Sequence, residues 1–83
     1  MLNELIKKIE TVLDKDVWVE SVYQYEDLPV IAVDVRGDWK HDHLRCDWLI
    51  EENVSEVTKF NTKVTEEDGS DYYSATHYYI VKL

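Results

Sequence analysis

Trp39-Lys40-His41-Asp42-His43-Leu44-Arg45-Cys46-Asp47-Trp48-Leu49-Ile50-Glu51-Glu52, residues 39–52, is the stretch whose reading decides the fold, because it fits two periodicities. Read as a strand, Leu44, Cys46, Trp48 and Ile50 share one face by period-two alternation. Read as a helix, Trp39, His43, Cys46, Leu49, Ile50 and Asn53 form one stripe. Two arguments favour the helix. Asp38 follows Gly37 and carries the side chain of a good N-cap, and a strand from 39 to 50 would far exceed the usual ~5–6 residues. The helical reading leaves Leu44 and Trp48, an i, i+4 pair, on the face opposite the stripe, turned toward a partner or a second layer.

Upstream, Leu2, Leu5, Ile6, Ile9, Val12 and Leu13 recur at helical spacing, with Glu4, Lys7, Lys8 and Glu10 between them, which predicts an amphipathic helix over 2–14 packed on the protein's own sheet. Val17–Tyr25 alternates and is rich in β-branched and aromatic residues, as a strand requires. Glu26-Asp27-Leu28-Pro29 supplies a turn, and Pro29, with fixed φ and no donor, predicts that the next strand, about Val30–Arg36, begins there. Gly37 and Asp38 read as its end. Downstream, the valine- and threonine-rich Glu56–Thr65, the acidic turn 66–71 with Asp68-Gly69, and the alternating Tyr72–Leu83 read as a hairpin. The chain is therefore one α+β domain over 1–83. It carries a four-stranded, mainly antiparallel sheet with one or two helices on one face, in the order α-β-β-α-β-β, or α-β-β-β-β if 39–50 is extended. On that sheet Tyr73, Ala75, Tyr79 and Val81 face the helices. Tyr72, Thr76 and Tyr78 face away, joined on the outer face by Trp18, Gln24, Lys59 and Lys63.

Eighteen carboxylates against nine lysines and arginines give 83 residues a formal charge of −9, which disfavours nucleic-acid phosphates and anionic membranes as ligands and favours a basic protein surface. The 12% aromatic content separates the chain from disordered acidic tails. Cys46 is the single cysteine, so no internal disulfide forms, and a reducing, cytoplasmic setting is expected. The start Met1-Leu2-Asn3-Glu4-Leu5 lacks the basic and apolar regions of an export signal, and no apolar run approaches the roughly 20 residues of a membrane span.

No catalytic residue, cofactor or metal site is expected. His41-Asp42-His43 has the donor types of a transition-metal site, but on a helix the two imidazoles diverge and no further ligand stands at a recognised spacing. Cys46 and His77 have the chemistry of a nucleophile and its base, yet nothing in the sequence brings them together, and an acidic protein disfavours a thiolate. His77 reads as a half-buried structural residue. Paired carboxylates such as Asp34 with Asp38, or Glu66 with Asp68, lack calcium-loop spacing.

The leading expectation is a non-enzymatic module that engages a basic protein with carboxylates Asp34, Asp38, Asp42, Asp47, Glu51 and Glu52 and with Leu44, Trp48, Tyr72 and Tyr78. In its extreme form it would occupy a nucleic-acid groove as a polyanion mimic and inhibit a nucleic-acid-handling protein. In size and charge density the chain is similar to DNA-mimic antirestriction and anti-CRISPR proteins; the likeness is one of composition and assigns no residue a role. The alternative is a self-associating domain, with Leu44 and Trp48 or a free sheet edge at a homodimer contact. A small ligand or metal binder centred on His41, His43 and Asp47 stands in reserve.

Overall fold

The computed structural model describes residues 2–69 and 71–82. Helix α1 (Asn3–Leu13) leads into strands β1 (Val19–Gln24) and β2 (Val30–Asp38). A π-helical turn, Trp39–Leu44, runs directly into α2 (Arg45–Asn53), and β3 (Val57–Glu67) and β4 (Tyr72–Val81) complete the chain. The four strands form one antiparallel sheet in the order β1-β2-β4-β3, so the two hairpins meet along β2 and β4. This is the α-β-β-α-β-β arrangement, and the alternative of a further strand over 39–50 is overturned.

The stripe that the helical reading required supplies the buried residues of the middle segment. His43 and Cys46 are fully buried and Ile50 and Leu49 nearly so. Asn53 was expected in the same stripe but lies exposed, its side-chain amide donating to the Leu49 carbonyl at 2.8 Å near the end of α2. Against this stripe α1 brings Ile9 and Leu13, and the sheet brings Ile31, Val33, Val35, Val57 and Tyr79, forming one core between the helices and one face of the sheet. Each fully buried aliphatic side chain contributes about 1.5–3 kcal/mol by leaving water.

Strand β2 runs two residues past the expected end at about Arg36, through Gly37 to Asp38. Gly37 takes φ +141°, and a side chain there would collide with the Asp42 carboxylate. That carboxylate accepts the backbone N–H groups of Trp18 and Asp38, each at 3.0 Å. Asp38 in turn caps the π-helical turn, accepting from the N–H groups of Lys40 at 2.8 Å and His41 at 3.3 Å. Those bonds hold its carboxyl below the usual carboxylate range. Asp38 and Asp42 thus fasten the chain where it leaves the sheet.

Two bulges shape β3, where the pairing with β4 shifts between Lys59 and Asn61 and again between Val64 and Glu66. Four residues apart on a regular strand, Lys59 and Lys63 would share a face. The first bulge separates them: Lys63 pairs with Thr76 on the outer face, while Lys59 pairs with Tyr79 on the helix side. Gln24 is likewise not on the outer face, because it pairs with Ile31, and its side-chain amide donates to the Leu28 carbonyl.

Replacing Asp42 with alanine leaves two backbone donors at the sheet–helix junction without their acceptor. Asp42→Ala is expected to lower unfolding free energy in urea by about 1–3 kcal/mol. Glu10→Ala, on the exposed side of α1, stays within roughly 0.5 kcal/mol of the parent.

Candidate functional site

Between the helices and the sheet, one row of polar side chains interrupts the apolar core. His43, on the π-helical turn, is fully buried with its ring stacked 5.3 Å from Trp39. Its Nε2 lies 3.2 Å from the Tyr73 carbonyl and its Nδ1 lies 2.8 Å from His77 Nε2. His77 is buried as well, against the half-buried position expected. Its Nδ1 meets Lys59 Nζ at 3.1 Å, Thr62 Oγ1 at 3.1 Å and Asp47 Oδ1 at 3.3 Å. The Lys59 ammonium reaches Asp47 Oδ1 at 2.9 Å, and the Tyr79 hydroxyl donates to the same oxygen at 2.6 Å with Cys46 Sγ 3.4 Å behind it.

With both imidazoles neutral, hydrogen-bond chemistry allows one direction for this chain. A carbonyl only accepts, so His43 Nε2 carries a proton toward Tyr73; neutral His43 then offers Nδ1 as acceptor, and His77 Nε2–H must fill it. The neutral His77 ring is left with a bare Nδ1, which accepts from the Lys59 ammonium or the Thr62 hydroxyl. Burial lowers the His77 pKa and outweighs the pull of Asp47, with the Lys59 charge acting in the same direction as burial. For Asp47, burial favours the neutral acid, but the approach of His77, which donates to it only when protonated, and the hydrogen bonds from Tyr79 and Lys59 prevail and bring it down to about 2. Burial lowers the Lys59 pKa, opposed by Asp47. Burial also pushes the Cys46 thiol up to about 12, only partly relieved by Tyr79. The fold does bring Cys46 and His77 together, but burial favours the protonated thiol.

The row surfaces in a groove of about 570 Å³ between α2 and β3, with Asp47, Glu51, Val54, Lys59 and Tyr79 on its walls. Lys59 turns its ammonium inward while its side chain stays 35% exposed. Nearby, Leu44 at the end of the π-helical turn and Trp48 on the outer side of α2 are 48% and 54% exposed, with Glu51 and Glu52 one turn further on.

The ten residues expected at a partner surface therefore do not share one face. Asp34 is tied down on the outer sheet face by the hydroxyls of Ser21 and Thr76, each at 2.6 Å. Tyr78 packs edge-to-face on Tyr25 there, and Tyr72 is exposed at the start of β4. Asp38 and Asp42 serve the backbone, and Asp47 serves the buried row. Leu44, Trp48, Glu51 and Glu52 alone form a contiguous exposed group. His41 is exposed while His43 is buried, so the two imidazoles diverge as the helical geometry requires. Sequence reading missed Lys59, Thr62 and Tyr73. The signal for Tyr73 and His77 was present, since both share the helix-facing alternation of β4, but the bulge hid Lys59.

Acid should act on the row in two steps. His77 has a lowered native pKa, so the unfolded chain takes up the proton first, and stability falls as pH drops below about 6.5. Asp47, also lowered, adds a second loss as pH falls from its ordinary 3.8 toward 2. Urea midpoints measured from pH 8 to 3 are expected to decline from pH 6.5 downward, with the upper part of that slope reduced in His77→Gln. No protein-family model matches the sequence, and no curated protein or solved structure shows significant similarity to it.

Proposed function

We propose that this domain is a non-enzymatic binding module that docks a basic protein segment on the outer side of α2. The observation that carries the reading is the pair Leu44 and Trp48, which lie one turn apart on a helix, about half exposed, and lead into Glu51 and Glu52. A large indole beside an aliphatic neighbour supplies the kind of anchor that dominates interface energy, and carboxylates at its rim select a cationic partner. The Arg45 guanidinium already lies 5.9 Å from the centre of the Trp48 ring, so the indole face accepts a cation of the type the partner would bring. The net charge of −9 steers such a partner inward and opposes both nucleic acid and a second copy of the chain. Inhibition of a nucleic-acid-handling protein is the form this binding takes if the basic segment is a nucleic-acid-contacting one.

The test is photo-cross-linking from position 52 in native lysate, followed by affinity measurement with the captured protein. The captured protein is expected to be basic at the cross-linked segment. Its affinity should fall with salt as the screening length shrinks from about 10 Å at 0.1 M to about 3 Å at 1 M. Trp48→Ala should weaken binding about thirtyfold, the equivalent of about 2 kcal/mol for an anchor residue. Glu51→Gln with Glu52→Gln should slow association with little effect on folding. Direct DNA or RNA binding, salt-insensitive capture of an acidic protein, or a dimer abolished by Trp48→Asp would each overturn the proposal.

A further inference from the structure

We propose that Cys46, Asp47 and His77 form a zinc site whose cation position is held by the Lys59 ammonium when no metal is bound. This inference concerns the interior row rather than the α2 surface and does not depend on the docking reading. One donor atom from each of the three residues lies within 4.8 Å of the others. Asp47 Oδ1 and His77 Nδ1 are 3.3 Å apart, close to the roughly 3.3–3.6 Å separating ligands in a tetrahedron with ordinary zinc bond lengths. The Lys59 ammonium, itself a cation, sits 2.9 Å from the first and 3.1 Å from the second. The pocket is thus already shaped around a positive centre, which the Thr62 hydroxyl oxygen also meets at 2.5 Å, and two of the three groups around that centre are of metal-binding type.

The surroundings prepare His77 for this role. Its Nε2–H donates to His43 Nδ1 at 2.8 Å, and His43 is anchored on the Tyr73 carbonyl. That chain leaves the His77 Nδ1 unprotonated and facing the Lys59 ammonium at 3.1 Å, the arrangement in which a metal-bound imidazole is oriented through its other nitrogen. A thiolate, a carboxylate and an imidazole together suit zinc and are the wrong set for magnesium or calcium. Three protein donors leave a fourth position for water or a donor group from a ligand, and the groove beside Asp47 and Lys59 gives access from solvent.

The exchange balances in charge. Before it, the Lys59 cation offsets the Asp47 carboxylate and Cys46 is a thiol. On binding, Lys59 swings outward into the groove and Cys46 releases its proton to solvent. The double charge of zinc is then met by one thiolate and one carboxylate, so the interior stays neutral in both states. Among the described residues every buried side-chain polar atom already has a partner without a metal. Zinc then stabilises by mass action rather than by making folding possible.

Cobalt(II) titrated into the full chain tests the site. One equivalent should produce a thiolate-to-cobalt charge-transfer band in the near ultraviolet, which zinc then abolishes. Lys59→Met, which removes the competing cation, should tighten binding at least about tenfold, equivalent to 1.4 kcal/mol. Cys46→Ser and His77→Gln should each eliminate the band. If Cys46→Ser does not fold, the band in the parent chain and its loss in His77→Gln decide the question. Absence of the band in both the parent chain and Lys59→Met would overturn the proposal, as would cobalt binding unchanged by His77→Gln, which places the metal on exposed carboxylates or His41.

Discussion

The Asp42 carboxylate, lying over Gly37 and accepting the N–H groups of Trp18 and Asp38, is the contact on which the arrangement of the molecule turns. It ties the approach to β1 to the end of β2 and the turn that follows it, 24 residues further along the chain. With that turn fixed and wound as a π-helix, the residue that follows Asp42 points inward. His43 enters the core there, and Cys46 and Ile50 continue the same buried line along α2. A glycine at 37 is the steric condition for this contact, since any Cβ would occupy the space the carboxylate needs. A carboxylate that sequence inspection assigns to a partner surface is thus a structural clasp, and the same holds for Asp38 beside it.

Much of the architecture was legible because hydrophobic periodicity reports burial directly. The apolar spacing of 2–14 and the alternation of 72–81 each map onto one element. The ambiguity of 39–52 was resolved by local chemistry, the capping side chain of Asp38, rather than by pattern. What could not be read was anything dependent on departures from regularity. A bulge adds one residue and reverses the alternation beyond it, so Lys59 moved from the outer face to the interior with no change in composition or propensity. The π-helical winding is equally silent in sequence. The hydrogen-bonding of the acidic residues was illegible for a different reason: charge counts do not distinguish a carboxylate facing solvent from one that accepts backbone or hydroxyl donors.

The buried row illustrates how a small core accommodates polarity. Placing imidazoles, a thiol, a carboxylate and an ammonium beside so few aliphatic residues costs free energy unless each group finds its complement, and a single missing partner would leave another group exposed to a low-dielectric interior. Here the complement is complete, with the carbonyl of Tyr73 at one end and the hydroxyl of Tyr79 at the other. Such a row has directionality that apolar packing lacks. It pairs particular side chains across the helix–sheet boundary, His43 with His77 and Asp47 with Tyr79.

The two irregularities in β3 carry a consequence for life at high concentration. β3 is an outer strand, eleven residues long, with one side of its backbone unpaired. A flat ribbon of that length would be a template for recruiting the same strand from a neighbouring molecule, and so for growth of an extended cross-strand stack. The shifts at Phe60 and Thr65 break the regular spacing of free donors and acceptors, and Lys59, Lys63, Glu66 and Glu67 place charge along the remainder. An incoming strand finds only short, interrupted runs to pair with. The bulge that turns Lys59 inward therefore also leaves Phe60 outward on an edge that other chains cannot easily extend.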